Sequence, residues 1–338
     1  MRHDVLPAIV GSHTLFTVAA CARMPNSRMP TPVALISSSD CGRHDTGWEH
    51  PEHVGRLRAI PRALRNDIAL YESLQQHEGR HATPEEIALS HDAAYIEQVR
   101  ALIASGGGRL DADTVVSEGS WDAVTAGAGC LLDGVDMSFD GRAIRNFSAV
   151  RPPGHHALHA SAMGFCVFGN VAIAAQYALQ RADCKRVLIV DWDVHHGNGT
   201  QALVEHDARI HFVSMHQWPW YPGTGAADDR GPLKTIWNVP MAPSLPAERY
   251  VSAFLNAVDA ATVDFVPDLL IISAGFDCLE GDPLGAFTMR NEHIAELTRS
   301  LVERAERWCG GRIVSALEGG YAPDPVAAAV MVHLAALA

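Results

Sequence analysis

The sequence predicts an α/β protein built on a mostly parallel sheet that helices cover on both faces. Short β-rich runs alternate with helix-periodic stretches along the 338 residues, the order a parallel sheet requires because each crossover carries a helix. The inner runs are apolar at every position, as in Val187-Leu188-Ile189-Val190 and Leu269-Leu270-Ile271-Ile272, which fits strands buried on both sides. Polar residues gather where such runs end: Asp191 and Asp193 close one, Asp277 follows another, and Glu318-Gly319-Gly320-Tyr321 follows a third. Ligands of open α/β sheets bind beyond the carboxyl ends of the strands, so these distant segments are expected on one rim.

Strands are predicted at residues 33–37, 143–150, 186–191, 210–214, 268–274 and 312–317, where β-branched and apolar residues concentrate. Helices are predicted between them at residues 56–65, 92–104, 121–132, 170–180, 247–261 and 291–308, where apolar residues recur at helical spacing. Residues 1–30 form an N-terminal extension. Its moderately apolar part ends in Val18-Ala19-Ala20-Cys21, which is similar to a lipoprotein cleavage site. Gly11-Ser12 and His13 interrupt it and only Arg2 adds positive charge, so it is too short and too broken to span a bilayer. A start placed too early, with Met24 or Met29 as the beginning, fits these residues better than export. The rest of the chain carries no repeat, low-complexity run, clear linker or membrane-spanning stretch.

Hydrophobic residues make up 48% of the chain and charged residues 19%, as in ordinary soluble enzymes. The formal net charge of −13 argues against nucleic-acid binding, which needs a cationic face. It would tolerate or steer cationic substrates. The seven cysteines are odd in number and none forms a C-x-x-C pair, which speaks against a disulfide framework or a zinc ribbon. Reduced thiols in a cytoplasmic protein are the expectation.

The most informative motif is Asp191-Trp192-Asp193-Val194-His195-His196-Gly197-Asn198-Gly199. Residues two apart on extended backbone point the same way, so Asp191, Asp193 and His195 can share one side. A carboxylate and an imidazole begin a divalent metal site, and Asp277 is the natural third ligand; catalytic zinc uses three protein ligands and leaves one position open. Alone, the motif could still be a solvated loop. Arg151-Pro152-Pro153-Gly154-His155-His156 supplies tandem histidines, and neutral imidazole can take a proton from a water and return it to a leaving amine. Alone, this would read as a surface pair. In Glu318-Gly319-Gly320-Tyr321 the glycines allow close backbone approach and the phenol could donate to an oxyanion, although a simple Gly-Gly turn explains it equally well.

Together and in this order, the motifs resemble those of the histone deacetylase / acetylpolyamine amidohydrolase family, nearest its class II-like bacterial members. The resemblance spans residues 33–321. It also includes His44-Asp45-Thr46-Gly47, His50-Pro51-Glu52, Gly164-Phe165-Cys166, Asn170, Ser214-Met215-His216, Tyr221-Pro222-Gly223-Thr224-Gly225 and Gly281-Asp282-Pro283. It implies a single arginase/deacetylase-type domain over residues 31–338, a three-layer sandwich with an eight-stranded, mostly parallel sheet. It further implies zinc on Asp193, His195 and Asp277. His156 would be the general base and acid, held by Asn198, and His155 would be held by Asp191. Tyr321 would polarise the acyl carbonyl. Gly164, Phe165, Tyr221 and Leu284 would border the acyl channel. A structural potassium would take Asp191, Asp193, His195, Ser214 and Met215, partly through backbone carbonyls.

The implied activity is zinc-dependent hydrolysis of acylated amines, with acetyl-lysine in proteins or peptides as the leading substrate. Tyr321 is retained where some class II members replace it and lose acetyl-lysine activity. Leu284 stands where polyamine-selective relatives carry an acid, which favours acyl-lysine over N-acetylpolyamines. The family often has a second acidic–Arg pair after His-Pro-Glu, whereas this chain reads His53-Val54-Gly55-Arg56; that departure bears on the entrance loop. Three other readings remain: an N-acetylpolyamine amidohydrolase, a non-catalytic acyl-lysine binder, and a dinuclear manganese ureohydrolase. The last would need further bridging aspartates, yet Cys278-Leu279 follow Asp277. Residues 224–231 could serve the entrance or a contact in a homo-oligomer.

Overall fold

The computed structural model describes residues 32–338 together with Met1 and His3. The expectations for Cys21, Met24 and Met29 lie outside the described residues. Residues 32–338 belong to one compact unit. Its strands are β1 (Val33–Ser37), β2 (Leu74–Glu78), β3 (Gly108–Arg109), β4 (Val115–Val116), β5 (Arg145–Ala149), β6 (Val187–Asp191), β7 (Ile210–Gln217), β8 (Ile236–Met241), β9 (Leu269–Ala274) and β10 (Ile313–Leu317). Its helices are α1 (Gly55–Asn66), α2 (Ile68–Ser73), α3 (Pro84–Ile87), α4 (Ala93–Ala104), α5 (Ser120–Asp140), α6 (Asn170–Ala178), α7 (Asn198–Val204), α8 (Ala247–Ala261), α9 (Asn291–Cys309) and α10 (Pro323–Leu337).

Eight strands make one sheet in the order β2-β1-β5-β10-β9-β6-β7-β8. Every pairing in it is parallel. β3 and β4 form a separate antiparallel ribbon. The chain builds the left half first, jumps to β6, runs out to β8, and returns to fill the gap with β9 and β10. The four central strands are therefore contributed by distant parts of the sequence.

Side chains alternate cleanly between two cores, as strand geometry requires. Leu188, Val190, Leu270 and Ile272 pack on one face with α1, α8, α9 and α10. Val187, Ile189, Leu269 and Ile271 pack on the other with α4, α5 and α6. This is the three-layer arrangement that the uninterrupted apolar runs predict.

The differences from the sequence reading have physical reasons. β2 and β8 were not predicted because they are edge strands. Their segments, Leu-Gln-Gln-His-Glu and Ile-Trp-Asn-Val-Pro-Met, lack an apolar run, and proline is tolerated at a sheet edge. α5 continues past residue 132 because Gly134 does not end it. A Cβ at Gly134 would overlap Asn146 Oδ1, so that glycine lets α5 lie close to β5. The helix stops at Gly141, whose φ of 76° is the left-handed cap. No helix among the described residues is long and apolar enough to cross a membrane.

Candidate functional site

β5, β10, β9 and β6 are neighbours in the sheet, and the loops that leave their carboxyl ends carry His155-His156, Glu318–Tyr321, Asp277 and Asp191–His195. The predicted convergence on one rim is thereby met through adjacency of strands.

The floor is formed by Asp193, His195 and Asp277, one ligand atom from each lying within 4.8 Å of the others. Asp193 and Asp277 have no solvent exposure. Backbone amides aim the carboxylates: Asp193 accepts from His195 N (2.9 Å) and Gly319 N (2.8 Å), and Asp277 accepts from Val194 N (2.8 Å). His195 Nδ1 sits between them, 3.0 Å from Asp193 Oδ1 and 3.1 Å from Asp277 Oδ2. A Cβ at Gly275 would overlap Asp193 Oδ2, and one at Gly319 would overlap both Asp277 Oδ2 and Asp193 Oδ2. Glycine is therefore required where the carboxylates press on backbone.

This donor set fits a divalent cation. The ion pairs of Asp193 and Asp277 among the described residues are to histidines. Burial, reinforced by the charge on Asp193, pushes Asp277 up to about 7. A cation between two buried carboxylates would remove that cost. Two carboxylates with one imidazole also match the three-ligand pattern of catalytic zinc.

Beside this floor the two histidines differ. His155 Nδ1 lies 3.0 Å from Asp191 Oδ2, and its Nε2 is 3.7 Å from Asp193 Oδ1. Burial lowers its affinity for a proton, but Asp193 and Asp191 overcome burial and raise it well above the usual value. His156 Nδ1 lies 2.7 Å from the amide oxygen of Asn198, whose amide nitrogen faces Met163 Sδ. Burial, then the charges of His155 and His195, hold His156 well below the usual value. A neutral ring that gives its Nδ1 proton to Asn198 presents Nε2 as an acceptor.

Tyr321 is placed by a clamp on its backbone. Arg56 donates through Nε to Gly320 O (2.5 Å) and through Nη2 to Glu318 O. Its guanidinium lies 5.0 Å from the centre of the Tyr321 ring. Arg56 and Arg151 share Glu52: Arg56 Nη1 donates to Oε1 at 3.0 Å, and Arg151 donates to Oε1 (2.8 Å) and Oε2 (2.7 Å). All three side chains are fully buried. Burial pushes Glu52 up, but Arg151 and then Arg56 pull it down to about 2. The departure at His53-Val54-Gly55-Arg56 thus leaves a working arginine, four residues beyond Glu52. Glu52 lies in the loop before α1 and Arg56 in its first turn, so no helical spacing links them in the sequence and only the fold shows the pair.

A cavity of about 270 Å³ rises from the floor, lined by Phe165, Tyr221, Leu284 and Tyr321, with His156 and His195 at its base. Gly164 also lines it, as do Asp113, Trp220 and Pro283, to which the sequence reading gave no channel role. The Tyr221 ring stands 5.2 Å from that of His156, and Phe165 lies 5.8 Å from Tyr321. Phe165 adopts φ 68°, a costly conformation for an aromatic residue. The loop between β3 and β4 holds it there, with Asp113 Oδ1 accepting from Gly164 N (3.2 Å) and Thr114 Oγ1 from Phe165 N (3.1 Å). Asp191 faces Ser214 in register across β6 and β7, and Met215 is buried one residue on.

A histone deacetylase domain profile matches residues 50–337. An uncharacterized protein of Synechocystis sp. is 43% identical over 291 residues, covering 86% of this chain and 94% of that protein. A histone deacetylase-like amidohydrolase of Pseudomonas aeruginosa is 36% identical over 278 residues, covering 81% and 72%. The crystal structure of the HDA15 HD domain superposes with a TM-score of 0.85 at 34% identity, covering 91% of this chain and 88% of that one.

Proposed function

The chain belongs to the histone deacetylase family, and from that premise we propose that it is a zinc-dependent deacylase whose leading substrate is acetyl-lysine in proteins or peptides. The observation that carries this reading is the buried Asp193, His195 and Asp277 cluster at the base of an aromatic channel, with His156 beside it. These three residues would hold the metal. When bound, zinc polarises the acyl carbonyl and lowers the pKa of an attacking water.

The chain's own groups do the rest. Phe165 and Tyr221 line the path to the base and keep water from an apolar acyl-amine linker. His156 Nε2 takes the proton of the attacking water, since Nδ1 is committed to Asn198. It later returns the proton to the departing amine. His155, paired with Asp191, keeps positive charge beside the carboxylates. Tyr321 donates its phenol proton as a hydrogen bond to the developing oxyanion. The products are a free amine and a carboxylate.

A structural potassium on Asp191, Asp193, His195, Ser214 and Met215 belongs to the same reading and rests on family resemblance and the Asp191–Ser214 register. A cytoplasmic location fits the six described cysteines, which are free and buried. Asp113 supports a second reading. Leu284 offers no charge to a polyamine, but Asp113 brings a carboxylate to the same cavity, so an N-acetylpolyamine could pair there.

The test is metal analysis together with turnover of the zinc-loaded protein on an acetyl-lysine peptide and on N-acetylputrescine. Preference for the peptide supports the leading reading. Preference for the polyamine keeps the mechanism and assigns substrate choice to Asp113. Tight binding without turnover indicates an acyl-lysine binder, and two manganese ions per chain with no deacylation indicate a ureohydrolase.

A further inference from the structure

One carboxylate joins the tyrosine of the site to the rim of its channel. Asp282 Oδ2 accepts the backbone N–H of Tyr321 at 2.7 Å, across 39 residues of sequence. Its other oxygen, Oδ1, accepts the N–H of Leu284 at 2.9 Å and so closes the turn that presents Pro283 and Leu284 to the cavity. The carbonyl of Leu284 in turn accepts the indole N–H of Trp220 at 2.9 Å, and Trp220 lines the same cavity from the opposite loop. Asp282 is 7% exposed although it sits in a surface turn.

Other bonds fix the start of the 318–321 segment. Glu318 N donates to Ala274 O, the Glu318 carboxylate accepts from Gly154 N and His155 N, Gly319 N donates to Asp193, Gly319 O accepts from Phe276 N, and Arg56 holds the carbonyls of Glu318 and Gly320. The Asp282 bond to Tyr321 N is the last of these backbone hydrogen bonds before the ring, which then packs against Arg56 and Phe165. Both oxygens of Asp282 face N–H donors, so only a carboxylate satisfies the two together; an amide would turn a donor toward one of them.

We propose that Asp282 is a positioning residue that couples the Trp220–Leu284 rim to Tyr321. It sets the direction of the phenol toward the acyl carbonyl and, with the same side chain, the wall that an acylated amine must pass. This inference rests on the deacylase reading for the role of Tyr321. Leu284 thereby acquires a second function. Its backbone transmits rim geometry to the base of the channel, apart from anything its side chain contributes to selectivity.

The experiment is a double-mutant cycle of Asp282→Asn and Tyr321→Phe, read on an acetyl-lysine peptide and on its trifluoroacetyl analogue. The analogue's electron-poor carbonyl needs less oxyanion stabilisation, which keeps turnover measurable in Tyr321→Phe. Asp282→Asn is expected to keep its zinc and lower kcat on the acetyl peptide ~10-fold, against the ~10²–10³-fold loss from removing an oxyanion donor outright. The loss should be smaller on the trifluoroacetyl peptide, and it should nearly vanish in the Tyr321→Phe background, as expected of residues that act together. A merely structural Asp282 would give equal losses on both peptides and additive effects, which would overturn the proposal. Should Asp282→Asn not fold, Trp220→Phe on the exposed rim carries the same cycle. It should lower kcat only when Tyr321 is present, and an additive loss overturns the coupling.

A wild type that binds zinc yet hydrolyses neither peptide would defeat the deacylase reading instead. The cycle of Asp282→Asn and Trp220→Phe is then read on the Kd of the trifluoroacetyl-lysine peptide by calorimetry. Non-additive weakening supports the coupling, and additive weakening refutes it.

Discussion

At Asp193 both carboxylate oxygens are already engaged with backbone N–H groups, from His195 and Gly319. The side chain cannot turn away, and that rigidity is what a metal ligand needs. Asp277 is fixed less fully, through Val194 N and His195. Asp277→Ala should therefore leave the rest of the site standing and lose the metal, and a fully metallated variant by elemental analysis would remove Asp277 from the ligand set. His156→Ala should retain zinc while kcat falls by ~10²–10⁴, the usual worth of a positioned acid–base. Near-normal turnover would show that the proton moves through another group. At this scale much was legible in the sequence. Asp191, Asp193 and His195 announce themselves by alternation on extended backbone. Asp113 and Trp220 gave no such signal, and Asp282 stood in the Gly281-Asp282-Pro283 motif without an assigned role, because their contacts come from loops that meet only in three dimensions.

The elements explain why four separated segments meet. β10 and β9 return to fill the gap between β5 and β6, so the last-made strands bring Asp277 and Tyr321 between loops already in place. Apolar runs make the central strands legible in the sequence, whereas β2 and β8, half-exposed at the edges, lack such runs. Close packing of the β9 and β10 loops on the carboxylates depends on Gly275 and Gly319. Gly319→Ala should lower zinc affinity and the melting temperature together, measured by metal titration and calorimetry; an unchanged titration would contradict the close approach described for this loop. The start of α1 is tied to the β5 and β10 loops through Glu52, Arg56 and Arg151. Glu52→Ala would leave two buried guanidinium groups without their carboxylate, a loss of about 3–5 kcal/mol. Chemical denaturation checks this, and a change below ~1 kcal/mol, as for an exposed ion pair, would mean that water reaches the pair.

For the molecule as a whole, buried neutral histidines make the fold sensitive to mild acid. Burial lowers His44 and His91 to about 4 and His333 to about 3, from an ordinary 6.5. Below pH 6.5 the unfolded chain takes up protons at these positions and the folded chain does not, so stability is complete above 6.5 and falls as pH drops toward 4. Each contributes roughly 1.4 kcal/mol per pH unit in that window. His333, bonded to Thr298 and Ser315 in the core, offers a check. A His333→Gln variant should show a shallower loss of stability between pH 6.5 and 4, and an unchanged slope would assign the loss to other groups. The fold class was legible from alternation and apolar runs, but the identity of the substrate is not carried by any of these global features. The most direct measurement is acetate release from an acetyl-lysine peptide by metal-free protein to which zinc is returned in steps. Activity should rise with zinc and level off at one ion per chain, and Asp277→Ala should stay flat throughout. Activity that is full before zinc is added, or absent at one bound zinc per chain, would contradict zinc-dependent deacylation.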